Sequence, residues 1–231
     1  MTQAISFKRI AVEATTIIVS ILFAFAIDAY WDSYQQRQRL ELNLNALVLD
    51  MQTAKTTIDY TIIDNTATVE ELRGALSALQ TDQADLSELN ISVNIRVPVI
   101  PSGTLKLLVN SGDVRSIRDE TVRSILITGL SKIELFQGFM DDLATDGRAS
   151  SVQLVRAESE AIAAKQPWPE AARGNAKALA SLQNLGNWID NIKELSALLS
   201  AEVEKIEQAA LLELQGEKTS SWMPMAWIRN H

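Results

Sequence analysis

The chain of 231 residues contains no cysteine and only one histidine, His231. Without cysteine there is no disulfide framework, no thiol nucleophile and no iron–sulfur ligation. A single histidine beside no cysteine does not make an ordinary structural zinc site. Glycine and proline are also scarce, 9 and 5 residues, so turns are few and helices can be long. Basic residues are outnumbered, 21 Lys and Arg against 29 Asp and Glu, for a net charge of -8. The basic face that nucleic-acid binding needs is therefore not expected. The hydrophobic share of 47 % is that of a folded chain rather than a disordered one.

Known chemical motifs are missing too. Asp141, Asp142 and Asp146 precede Gly147, but counted from Asp142 the third position is Ala144 and the twelfth is Gln153, which fails the calcium-loop pattern. Gly216-Glu217-Lys218-Thr219 is not a phosphate loop, because Glu217 separates the glycine from the lysine. No enzymatic activity, cofactor or metal is expected.

Against these gaps one segment stands out: residues 10–31, IAVEATTIIVSILFAFAIDAYW. The eighteen residues 10–27 carry a single charge, Glu13. As a helix they extend about 27 Å, close to the thickness of the hydrocarbon core. Ten of the eighteen are Ile, Val, Leu or Phe, which favours insertion by roughly 3 to 6 kcal/mol on an insertion scale. Glu13 opposes this by less than about 3 kcal/mol because it lies near one end. Arg9 is placed to pair with it at i,i+4. Tyr30 and Trp31 fall at the depth of an aromatic belt. A cleaved signal peptide is the main alternative, since Ala24-Phe25-Ala26 resembles a small-x-small site. A buried core helix is the other. Helical patterning continues past Trp31 without a turn residue, so a permanent transmembrane helix is the expectation. Lys8 and Arg9 before the span nearly balance Arg37 and Arg39 after it. The short leading segment 1–9 favours a cytoplasmic N-terminus with the bulk of the chain outside.

Within the span, Glu13, Thr16, Ser20, Ala24 and Asp28 recur at spacings of 3 and 4 and share one face. Small and hydroxylated residues at that spacing suit helix–helix packing. The alternatives are an interfacial Glu13 on a stripe that means nothing, and an ion or proton site.

Beyond residue 31 two heptad patterns emerge. Leu40, Leu44, Leu47, Met51, Ala54 and Ile58 alternate at 4 and 3, a coiled-coil seam. It is then expected to slip at Ile62, a stutter, and to run on through Asn65, Val69, Leu72, Leu76 and Leu79, with Asn65 fixing register. The second seam runs Leu182, Leu185, Ile189, Ile192, Ser196, Leu199, Val203, Ile206, Ala210. Residues 32–79 and 170–216 therefore read as two long helices of matched length, pairing either within the chain or between copies. Between them, residues 80–169 read as a loop and a small helical head. Ile91, Val93, Ile95 and Val97 alternate in an extended segment that Pro98 and Pro101 end. Ser102 starts a short helix that Gly112 caps. Asp119 caps the next, with Val122, Ile125, Leu126, Leu130, Ile133, Phe136 and Met140 on its apolar face and Gly147 at its end. A further helix follows over 150–165, and Pro167-Trp168-Pro169 breaks the chain. The expected fold is all-α: a transmembrane helix that continues into an antiparallel helical hairpin. The hairpin would return the chain to the membrane, where the tail 217–231 carries Trp222 and Trp227 for the interface, for a partner or for its own stalk.

The layout resembles an uncharacterised bacterial family of single-pass membrane proteins. The likeness rests on Arg9, Glu13 and Trp31 and on the central run Ser111-Gly112-Asp113-Val114-Arg115-Ser116-Ile117. Tyr30-Trp31 stands where that family typically has Asn-Trp. The resemblance implies an inner-membrane anchor with a periplasmic helical domain, and no activity. The expected function is a non-enzymatic, membrane-anchored scaffold that contacts lipid and self-associates or holds a partner. The alternative is an accessory subunit of a larger inner-membrane complex.

Overall fold

The computed structural model describes residues 7–81 and 95–221. Among these the fold is all-α, without a strand. Helix α1 spans Phe7–Gln80, 74 residues, or about 110 Å at 1.5 Å per residue. Nothing in it interrupts the helix: the first glycine is Gly74 and the first proline Pro98. Helix α2 spans Gly103–Ser111, α3 spans Glu120–Ala163, α4 spans Trp168–Arg173 and α5 spans Ala176–Ser221.

Four contacts set the directions. Gln52 on α1 donates to Glu207 on α5 at 3.0 Å, while Arg73 further along α1 pairs with Asp190 earlier on α5. α1 and α5 are thus antiparallel, the expected hairpin. Lys132 on α3 reaches Glu202 at 3.0 Å, and Gly147 lies against Trp188, so α3 is antiparallel to α5 as well. α1 neighbours α2 and α5, and α3 neighbours the same two. The result is an up-down-up-down bundle of four members. The second member, residues 95–117, is the irregular one, because Pro98 and Pro101 donate no backbone N–H to a helix.

Both heptad seams are buried where the sequence places them. Leu40, Leu44, Leu47, Met51, Ala54 and Ile58 on α1 are covered, and so is every seam residue from Leu182 to Ala210 on α5. They pair within the chain. The expected slip at Ile62 does not occur. Thr61, Asn65, Thr68, Leu72, Ala75 and Leu79 are all buried, so the alternation of 3 and 4 runs unbroken from Leu40. Thr61 and Thr68 serve as seam residues because their hydroxyls donate to the carbonyls of Thr57 and Asp64 at 2.9 and 3.0 Å. A threonine satisfied by its own helix buries like a small β-branched apolar residue.

Asn65 is fully buried but does not act on α5. Its amide donates to the Arg96 carbonyl at 2.9 Å, and its carbonyl accepts from the Arg96 N–H at 3.2 Å. It thereby ties down the non-helical segment after residue 94, which Arg96–Asp64 and Gln137–Ile100 contacts also hold. Residues 95–100 form no strand; Ile91 and Val93, the start of the expected alternation, lie outside the described residues. Ser196 on α5 is buried without a hydrogen-bond partner. From the Gln52–Glu207 and Arg73–Asp190 contacts it lies at about the height of Asn65. This polar layer separates two apolar clusters, one from Leu40 to Ile58 with Leu199 to Leu214, the other from Val69 to Leu79 with Ala178 to Ile192.

The expected helix end at Gly147 is corrected. α3 runs through it for 44 residues and lies along α5 as a third long rod, so the segment between the hairpin arms is more than a compact cap. Gly147 is present for proximity: a Cβ there would sit 2.8 Å from the Trp188 ring. Gly129 is alike, with a Cβ 2.7 Å from Ile206. The other caps follow the sequence. Gly112 has φ of 84° at the end of α2, and Asp119 accepts from Thr121 and Val122 N–H groups at 2.7 and 3.3 Å. The returning arm begins later than residue 170. α4 intervenes, and Asn175 then caps α5 by accepting from Lys177 and Ala178.

Gly147→Ala is expected to destabilise the bundle by about 1 to 3 kcal/mol through overpacking. Gly138→Ala, on the same helix with open space at its Cβ, should instead be neutral or stabilise by up to about 1 kcal/mol. Denaturant unfolding followed by circular dichroism compares the two.

Candidate functional site

α1 leaves the bundle as a bare rod. Every residue from 13 to 39 is exposed, and Leu40 is the first to be covered. These 27 residues extend about 40 Å. They include the one stretch, among the described residues, long and apolar enough to cross a membrane, and none of it is buried. A core helix of a water-soluble domain would bury such a surface against neighbours. Here Ile17, Ile18, Leu22, Phe23 and Phe25 are each more than half exposed.

The structure places the stripe residues Glu13, Thr16, Ser20, Ala24 and Asp28 on this bare rod, all exposed. Among the described residues, no other element reaches them. Ser20 donates to the Thr16 carbonyl at 2.8 Å, so its hydroxyl is satisfied in apolar surroundings without a second helix. Glu13 and Thr16 are engaged as well. The Arg9 side chain, expected beside Glu13, lies outside the described residues.

Above the apolar stretch the aromatic residues cluster. Tyr30 and Trp31 are exposed, and the Trp31 ring stands 5.9 Å from Tyr34 at 31°. Tyr34 was not singled out by sequence reasoning; its place one turn after Trp31 is the signal that identifies it. Its hydroxyl accepts from Gln38 at 2.8 Å, an apolar ring with a wet end, as interfacial aromatics have.

The bundle's near end is built just beyond this belt. The run Ser111–Ile117 forms the tight reversal between α2 and α3. Gly112 takes the left-handed conformation, a 3-10 turn spans Asp113–Ser116, and Val114 and Ile117 plug the core. Asn43 of α1 donates to Asp113 at 3.4 Å. The next residue, Arg118, donates its N–H to the buried Glu213 carboxylate of α5 at 3.2 Å. α1, the reversal and α5 are thereby joined at one level. α5 ends at Ser221, fourteen residues past Glu207, which brings it to about the height of residue 38 of α1. Trp222 and Trp227 lie outside the described residues.

Elsewhere charged groups serve the bundle. Lys132 and Lys205 both reach the largely buried Glu202, at 3.0 and 3.4 Å, which compensates a carboxylate held between α3 and α5. Sequence reasoning missed this triad because it joins residues 70 positions apart. A cleft of about 530 Å³ lies under residues 95–99, against Gln137, Met140 and Trp188. No group of three His, Asp or Glu side chains is arranged to hold a metal among the described residues. Comparison with family models, with curated proteins and with solved structures finds no match to this chain. The resemblance carried by Arg9, Glu13, Trp31 and the run 111–117 stands on those residues alone.

Single cysteines in this cysteine-free chain test the anchor. In membranes, Ile18→Cys and Phe25→Cys should react with a membrane-impermeant maleimide at least about ten-fold more slowly than Gln38→Cys, which clears a core of about 30 Å.

Proposed function

We propose that the protein is a single-pass, membrane-anchored helical scaffold that works by holding other chains rather than by catalysis. The single observation that carries this reading is the bare 27-residue rod on a closed bundle. An apolar helix without a partner among the described residues has lipid or another membrane helix as its natural surroundings. The bundle supports the same reading. Its seams are filled from within, and its buried charges serve packing. The cleft beside Trp188 shows no paired nucleophile and base among its lining residues.

In this reading residues 10–31 cross a bacterial inner membrane. The N-terminus lies in the cytoplasm and the bundle in the periplasm, with Tyr30, Trp31 and Tyr34 marking the outer interface. The return of α5 to the level of residue 38 would set the tryptophan-rich tail beside the same interface. The working surface is then the membrane-near end and the outer side of α1, where copies or partners meet. The alternative, an accessory subunit of a larger membrane complex, shares the anchor and differs only in company.

The full chain is expected to stay in the membrane pellet after an alkaline carbonate wash. Released in mild detergent, it should run by light scattering as a defined homo-oligomer. A fixed set of other chains in constant ratio would select the accessory-subunit alternative. A chain released by carbonate as a soluble monomer would contradict both.

A further inference from the structure

The α1 seam is consumed by α5, so contact between copies needs another face, and α1 has one. Leu42, Leu49, Thr56 and Ile63 recur every seven residues on its outer side. Ala46, Thr53, Tyr60 and Ala67 fall between them, again at spacings of 4 and 3. This is a second heptad pattern, two residues out of phase with the first and hence on the opposite side of the helix. The face is uncharged along its length, and its large members are bare: Leu42, Leu49, Tyr60 and Ile63 are 64 to 69 % exposed. Scattered apolar residues on a surface are ordinary, but a regular seam of about 37 Å is not.

We propose that this face pairs with the same face of a second copy, as a parallel, in-register coiled coil. The inference rests on the reading of the chain as a membrane-anchored, self-associating protein, and it names the surface and the geometry. Two features select a second copy as the occupant. First, both copies would be anchored by the same residues of the same helix, so Leu42 faces Leu42 and Ile63 faces Ile63 at matching heights. A heptad face meets its own copy as a two-fold interface with no change of register. Second, the face continues toward the membrane. Trp31, Gln35 and Gln38 extend it, while the strict seven-residue repeat also brings Arg39, Asp32 and Asp28 to its edge, and Ala24 and Ser20 lie within about 40° of it on a straight helix. From residue 20 to residue 67 with its flanks, each copy offers about 20 to 30 residues, the size of a stable interface. Asp50 and Asp59 flank the seam and repel their counterparts. The shared membrane offsets this by raising the effective concentration of one copy near another.

Because the chain has no cysteine, single substitutions report contact directly. Leu49→Cys and Ile63→Cys lie on the face. Val155→Cys on α3 and Leu212→Cys on α5 are comparably exposed and lie elsewhere. Ala24→Cys reports the anchor. Each full-length variant is oxidised in liposomes, and disulfide dimers are counted on non-reducing gels. Leu49→Cys and Ile63→Cys should cross-link at least about ten-fold more than Val155→Cys and Leu212→Cys, because a disulfide requires Cα atoms within about 7 Å. Equal cross-linking at all sites would overturn the proposal. Cross-linking at Ala24 but not at 49 or 63 would also overturn it, while leaving self-association through the anchor intact. A monomer in mild detergent with no cross-link anywhere would sink both the proposal and the reading beneath it. The double variant Leu49→Glu/Ile63→Glu checks the face without cysteine: it should keep its helicity and lose the dimer.

Discussion

The structure depends on one pairing, the α1 seam against the α5 seam. α1 continues unbroken for 74 positions, so it must bury a leucine stripe along much of that length. Only a second rod of similar length can cover that stripe. α5 does so from Leu182 to Ala210, and its antiparallel sense returns the chain to the level where α1 becomes bare. The described residues between the two rods, 95–175, are then confined to the remaining sides of the bundle. α3 takes one side as a third rod, and the proline-containing segment 95–102 with α2 takes the other.

Close approach and polar satisfaction decide the details within that frame. Gly129 and Gly147 let α3 reach α5 where Ile206 and Trp188 project. Asn65 makes a non-helical segment of backbone tolerable in a helical core by meeting both backbone hydrogen-bonding groups of Arg96. A buried backbone pair left unmet would cost about 1 to 3 kcal/mol per group. The same layer, with Ser196, divides the core into a half near the bare rod and a far half. The near half holds the joint of Asn43, Asp113, Arg118 and Glu213 and sits on the bare rod.

The sequence made much of this legible. Local signals were sufficient for the heptad seams, the Gly112 and Asp119 caps and the apolar stretch of α1, because each is a pattern read along one helix; that the two seams pair within the chain came from the structure. What escaped reading depends on partners far along the chain. Gly147 looks like a helix end until Trp188 is set against it. Ile62 looks like a slip until Thr61 is seen to bury its hydroxyl on its own helix. Asn65 looks like a register residue until Arg96, 31 positions away, is found in its reach. The stripe from Glu13 to Asp28 was legible as a face. The Ser20 bond to Thr16 was not, because it depends on how the hydroxyl turns on its own helix.

The proposed function rests on the continuity of α1. One rigid helix would carry the membrane's orientation into the bundle, set the height at which α5 returns, and expose its outer heptad face at a fixed distance from the lipid. A hinged anchor would do none of these. The direct test is a spin-label distance along α1 in bilayers, with labels at Asp32→Cys and Asp59→Cys and labelled chains diluted in unlabelled ones. A continuous helix predicts a narrow distribution centred near about 40 Å. A broad distribution, or one centred well below that distance, would contradict the account.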